Sequence, residues 1–130
     1  MASIHEETFI DARPEDVWAA LRDVGALHTR LVPGFVVDTR LEDGARIVTF
    51  GNGTVARELI IALDDERRRL VWSVVGGRFS HHNATAQVFP HDGGTRFVWI
   101  ADLLPDQVAG DIEKLMEQGL TVLKKTMERS

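Results

Sequence analysis

Cysteine is missing from all 130 residues, which excludes disulfides, thiolate catalysis and cysteine metal sites together. Tyrosine is missing too, so no phenol serves as a general acid. No apolar run approaches the ~20 residues that a bilayer-crossing helix needs, and no membrane span is expected. The opening Met1-Ala2-Ser3-Ile4-His5-Glu6-Glu7 lacks the basic and apolar regions of a signal peptide, so the expected compartment is the cytoplasm. Positive charge is in deficit: the net charge of −5 argues against nucleic acid or an anionic membrane as partner. The one basic run, Arg67-Arg68-Arg69, follows Asp64-Asp65-Glu66 directly and reads as a solvated turn. Dinucleotide, phosphate-loop, nucleophile-elbow and zinc-protease motifs are all absent. The serines (Ser3, Ser73, Ser80, Ser130) stand in no nucleophile context. The sequence therefore calls for no metal and no cofactor.

What is present is an ordinary globular composition, 44% hydrophobic and 27% charged, in a length that suits a single domain over 1–130. The first helix announces itself at Asp11-Ala12-Arg13-Pro14, with Pro14 near its first position and Glu15 and Asp16 in its first turn. Val17, Trp18 and Leu21 recur on one face, and Gly25 is a stop. A second short helical piece, 26–31, ends before Pro33-Gly34.

From Phe35 onward turn signals recur at Glu42-Asp43-Gly44, Gly51-Asn52-Gly53, Asp64-Asp65-Glu66, Gly76-Gly77 and His91-Asp92-Gly93-Gly94. They divide the chain into strands near 35–42, 45–51, 54–64, 69–75, 80–90 and 95–103, with one more over 3–11. After Leu104-Pro105-Asp106 a long amphipathic helix is predicted. Its apolar stripe is Val108, Ile112, Leu115, Met116, Gly119, Val122, Leu123 and Met127. Only the concave face of a curved antiparallel sheet is large enough to receive that stripe. The expected class is α+β: a seven-stranded sheet gripping a long C-terminal helix, with two short helices after the first strand.

Several strings carry a family resemblance: Ala12-Arg13-Pro14-Glu15-Asp16-Val17-Trp18 with Leu21; Leu63-Asp64-Asp65 followed by Arg69-Leu70-Val71-Trp72; Gly94-Thr95-Arg96-Phe97-Val98-Trp99; and Leu103-Leu104-Pro105. In this order the chain resembles the START-like, or SRPBCC, superfamily of helix-grip, pollen-allergen-like folds. Within it, the strings look like those of the bacterial polyketide cyclase/dehydrase-type members. The resemblance spans essentially the whole chain. It implies a deep hydrophobic cavity between sheet and C-terminal helix. It does not imply one function, since that superfamily holds lipid carriers, hormone receptors, aromatases/cyclases and chaperone activators.

The cavity candidates are Trp18, His28, Arg57, Trp72, His81, Trp99, Met116 and Gly119. Strand alternation places Phe97, Trp99 and Ala101 together, and Trp72 on the same side as Leu70 and Val74, so Trp72 and Trp99 can both face inward. Gly119 interrupts an apolar stripe, where it either leaves room for a ligand or lets a strand approach. His28 lies on the short second helix, near the cavity mouth in folds of the resembling kind. His81 and His82 are adjacent in a strand and point to opposite faces, so they cannot share a metal ion. If His81 faces inward, Asn83, Thr85 and Gln87 follow it as a polar wall; if not, they face solvent. Of Arg57 and Glu58, one must face the concave side unless the strand bulges, and Arg57 is the choice made here.

The function expected is binding of a small hydrophobic or aromatic molecule, such as a lipid, polyketide or quinone. One rival is a cyclase, aromatase or dehydratase using His28 or His81 as proton acceptor and Arg57 as donor. Another is a protein-interaction module with a filled interior. An exposed edge strand leaves room for a homodimer.

Overall fold

The computed structural model describes residues 1–129. Seven strands form one antiparallel sheet: β1 (Ala2–Ile10), β2 (Val36–Glu42), β3 (Ala45–Phe50), β4 (Val55–Asp64), β5 (Arg69–Val75), β6 (His81–His91) and β7 (Gly94–Leu104). The spatial order is β1-β7-β6-β5-β4-β3-β2, so the meander runs across the sheet and the N-terminal strand closes it against β7. Helix α1 (Pro14–Arg22) begins with Pro14 at its first turn, as the sequence predicts. The second short helix is a single π turn, Leu27–Leu31. Helix α2 (Ala109–Glu128) follows a 3₁₀ turn at Asp106–Val108 and lies along β1 on the concave side. This is the helix-grip α+β architecture.

The core follows the period-2 and period-3.6 patterns. Met116, Gly119, Leu120, Leu123 and Met127 are the buried residues of α2, and they meet Ile4, Phe97, Ala101 and Leu103 of the sheet in one apolar cluster. Along β6 the buried residues are His82, Ala84, Ala86 and Val88. The small Ala84 and Ala86 are buried in the core cluster beside His82, which settles the register that alternation alone left open. Asn83, Thr85 and Gln87 therefore take the outer face.

α1 is anchored through the β4–β5 turn. Trp18 is buried in the core and its indole Nε1 donates to Asp65 Oδ1 at 2.9 Å, while Arg22 Nε donates to the same oxygen at 2.7 Å. The Asp65 carboxyl is held below its ordinary range first by the Arg22 hydrogen bond and then by that of Trp18. The string Leu63-Asp64-Asp65 thus has a structural duty.

Candidate functional site

Between the sheet and α2 the interior is hollow. An outer chamber of about 260 Å³ opens between α2, the β3–β4 turn at Asn52 and the β5–β6 loop over Gly76, Gly77, Arg78 and Phe79. A smaller inner chamber of about 80 Å³ lies toward the π turn, against Leu31, Val36 and Leu123. Phe35, Phe50, Glu58, Trp72 and Trp99 line both chambers and form the partition between them. Phe35 and Phe50 meet edge to face with ring centroids 5.6 Å apart, and Trp72 and Trp99 are tilted at 6.1 Å. Aromatic pairs of this kind make a stiff apolar wall.

Gly51 fixes where Phe35 sits. Its N–H donates to the Phe35 carbonyl at 2.9 Å, and a Cβ there would lie 2.5 Å from the Gly34 carbonyl oxygen. No other residue type allows the two segments to come that close. Gly119 plays the equivalent part on α2. An added Cβ would lie 3.2 Å from both Phe35 Cε2 and Trp99 Cζ3, so the helix rests directly on the partition. Both readings of Gly119 therefore meet at one place: it is a close approach, and it borders the inner chamber.

Two charges stand on the concave face. Arg46 and Glu58 are Cα partners across the β3–β4 hairpin, exposed by only 3% and 6%. Arg46 Nε donates to Glu58 Oε1 at 2.8 Å, Nη1 reaches the Val24 carbonyl at 3.4 Å, and the guanidinium lies 5.6 Å from the centre of the Trp72 ring. Taking two charges out of water is expensive, so this pair adds little net stability compared with an apolar pair of the same size. It puts a matched, net-neutral polar spot into a mostly apolar cavity. The second carboxylate oxygen of Glu58 takes no hydrogen bond from the protein.

Trp99 Nε1, on the partition, is buried without a hydrogen-bond partner among the described residues, and His82 is a further polar group of the outer chamber. The β5–β6 ladder runs from Arg69↔Gln87 only as far as Trp72↔Ala84. Beyond it, the Val74 N–H donates to His82 Nδ1 at 3.0 Å, and the Ser73 hydroxyl donates to the His82 carbonyl. A nitrogen that accepts from a backbone N–H carries no proton, so the ring proton sits on Nε2. The ring packs tilted against Phe79, with centroids 4.8 Å apart, and lines the outer chamber. Burial, reinforced by the neighbouring His81, lowers its pKa to about 4, so at neutral pH it is an uncharged donor.

Of the eight candidates read from sequence, Trp72, Trp99, Met116 and Gly119 line the cavity. Four do not. Trp18 is core, tied to Asp65 as described. His28 is half-buried on the π turn, outside the lining residues, with Nδ1 enclosed and unpartnered. His81 is exposed on the outer face, and His82 takes the inward position, because the register buries Ala84 and Ala86. Arg57 is exposed and pairs with Glu42 at 3.7 Å; the inward charge is Glu58. The bulge between Ile60 and Ala62 lies beyond Glu58 and does not alter its side. Sequence reasoning missed Phe35, Phe50, Arg46 and Phe79 altogether.

Outside the cavity, Glu6, Glu113 and Glu117 bring carboxylate oxygens within 4.8 Å of one another on the surface between β1 and α2. Loss of hydration, then repulsion from Glu117 and Glu113, holds the Glu6 carboxyl above its ordinary range. No helix among the described residues is long and apolar enough to cross a membrane.

Comparison with known proteins decides the family. The model of the family described as polyketide cyclase / dehydrase and lipid transport matches residues 1–128. The chain belongs to this family. Among solved structures, the protein XoxI from Bacillus cereus is similar with a TM-score of 0.83 at 18% identity, over 99% of this chain and 94% of that one. A Thermobifida fusca protein aligns with a TM-score of 0.80 at 25% identity, covering 99% and 95%. Ara h 8.0201 aligns with a TM-score of 0.79 at 16% identity, covering 99% of both chains. No curated protein matches the sequence. As a member of the polyketide cyclase / dehydrase and lipid transport family, the chain combines the family's fold with a hollow, aromatic-walled interior.

Proposed function

We propose that this protein binds a small hydrophobic or aromatic molecule, of lipid, polyketide or quinone-like type, in the cavity between sheet and α2. The observation that carries the reading is the outer chamber of about 260 Å³, walled by aromatic and aliphatic side chains and opening beside the N-terminal end of α2. Ligand sites of this sort are concave, mostly apolar and largely preformed. A volume just below the ~300–1000 Å³ range of drug-sized sites suits a ligand of one or two rings or a single short chain, not a two-chain phospholipid. Binding draws on apolar burial at roughly 25 cal/mol per Å². The hollow interior disfavours a pure interaction module, which needs none. In a cyclase-type reading of the same cavity, the acid–base roles fall to Glu58 and His82, since His81 and Arg57 face away from it.

Native and denaturing mass spectra of the purified protein, with an organic extract of the same sample, test the reading. An adduct that is released on denaturation and appears in the extract is the expected result. A bare protein mass that persists after incubation with hydrophobic and aromatic compounds overturns it.

A further inference from the structure

The polar groups of the cavity describe a ligand more closely than its volume does. Glu58, Val74 and His82 lie in one row across β4, β5 and β6. Glu58 is the Cα partner of Val74, and continuation of the Trp72↔Ala84 pairing sets Val74 opposite His82, whose ring takes the Val74 N–H. Two strand spacings separate Glu58 from His82, on the order of 10 Å between Cα atoms. Both side chains reach the outer chamber. One end offers a carboxylate oxygen that accepts, and the other an imidazole Nε2–H that donates.

The charge of the row is also set. The carboxylate of Glu58 is matched by Arg46, which gives Nε to Glu58, Nη1 to the Val24 carbonyl and its face to Trp72, and which lines the inner chamber and not the outer one. His82 adds no charge, because its Nδ1 is committed as an acceptor. An anionic ligand would meet the free oxygen of Glu58 at close range, while Arg46 is already neutralised by Glu58 and the chamber's other cation, Arg78, stands at the solvent-exposed mouth paired with Asp111. A hydrocarbon without polar groups would bury a carboxylate oxygen and an N–H unpaired, which costs more than an unmade contact.

We infer that the cavity selects an uncharged, compact aromatic or aliphatic molecule carrying a hydroxyl donor at one end, for Glu58, and a carbonyl-type acceptor several ångströms away, for His82. This rests on the ligand-binding reading above and narrows it to neutral hydroxy-carbonyl compounds, against free fatty acids, other carboxylates and phosphate-bearing lipids.

A matched set of probes separates the cases: para-hydroxybenzophenone, benzophenone, and para-benzoylbenzoate, which replaces the hydroxyl by a carboxylate. Dissociation constants are measured by calorimetry on the intact chain and on Arg46→Met/Glu58→Met, which removes both charges at once and so keeps the fold. The expected result is para-hydroxybenzophenone bound at least about tenfold more tightly than either analogue by the wild type, with the preference over benzophenone lost in the double variant. Equal binding of all three, or tightest binding of the carboxylate, overturns this inference while leaving a hydrophobic ligand site in place. So does a preference for the hydroxylated probe that survives in the double variant. Failure of all three to bind overturns the inference and counts against the ligand-binding reading as well.

Discussion

At the scale of single residues, the buried Arg46–Glu58 pair sets up opposite effects for one substitution and for two. Arg46→Met alone leaves Glu58, only 6% exposed, without its partner and should cost about 3–5 kcal/mol. Arg46→Met/Glu58→Met removes the desolvation cost along with the attraction, and its stability should lie within about 1 kcal/mol of the wild type or above it. Urea unfolding of the three proteins at neutral pH is the measurement. A single variant as stable as the double would mean that the pair is wet and that its apolar surroundings do not isolate it. His82 supplies a pH dependence. Its pKa falls from the ordinary 6.5 to about 4 in the folded chain, so between those values the unfolded chain binds a proton that the folded one refuses. Stability is therefore full above about pH 6.5 and declines as pH drops toward 4, by roughly 1–3 kcal/mol for this group. In His82→Gln, whose amide carbonyl can still accept from Val74, that part of the decline should vanish. Urea midpoints at several pH values in this window decide it.

At the scale of elements, α2 presses its one glycine onto the partition of the cavity. Gly119→Ala gains about 1 kcal/mol of helix propensity and loses a similar amount where its Cβ meets Phe35 and Trp99 at 3.2 Å. Stability should change by less than about 1 kcal/mol while the inner chamber narrows. Gly119→Leu should fill that chamber, weaken probe binding more than about tenfold and cost about 1–3 kcal/mol. Thermal unfolding with and without para-hydroxybenzophenone reads both effects, and unaltered binding in Gly119→Leu would show that ligand never reaches this depth. The elements themselves were legible in the sequence, because turn residues punctuate every hairpin and the stripe on the last helix repeats at helical spacing. The site was half legible. Trp72, Trp99 and Met116 fell on the right side by periodicity alone. Arg46 and Glu58 were legible in principle: a hairpin centred on Asn52 pairs position 46 with position 58, and alternation sets Arg46 beside Val48 and Phe50. β4 alone, without its partner strand, does not distinguish Arg57 from Glu58 as the inward charge. Between His81 and His82 the sequence is ambiguous, because polar Asn83, Thr85 and Gln87 suit either a wet face or a polar pocket. What decides between them is the burial of Ala84 and Ala86 in the core cluster, a tertiary outcome that no local pattern encodes.

At the scale of the whole molecule, the helix-grip fold must let a ligand reach a cavity enclosed by sheet and helix. The weakest seam is where the β5–β6 ladder stops at Trp72↔Ala84 and the loop over Gly76–Phe79 covers the outer chamber. That loop is tied to the start of α2 by one ion pair, Arg78 Nη2 to Asp111 Oδ2 at 2.8 Å, with both side chains more than half exposed. An exposed pair is worth only about 0.2–1 kcal/mol, too little to hold the fold but enough to bias an opening motion. Asp111→Asn should leave the unfolding midpoint nearly unchanged. Because the same seam must part for entry and for exit, association and dissociation of para-hydroxybenzophenone should both accelerate, by up to about fivefold, with the dissociation constant altered less than about twofold. Salt should reproduce the effect in the wild type and add little in Asp111→Asn, since screening acts on the exposed pair. Stopped-flow binding across ionic strength distinguishes this from a direct contact. If dissociation alone accelerates, Asp111 and Arg78 touch the ligand; if neither rate moves, the ligand enters past another edge of the grip.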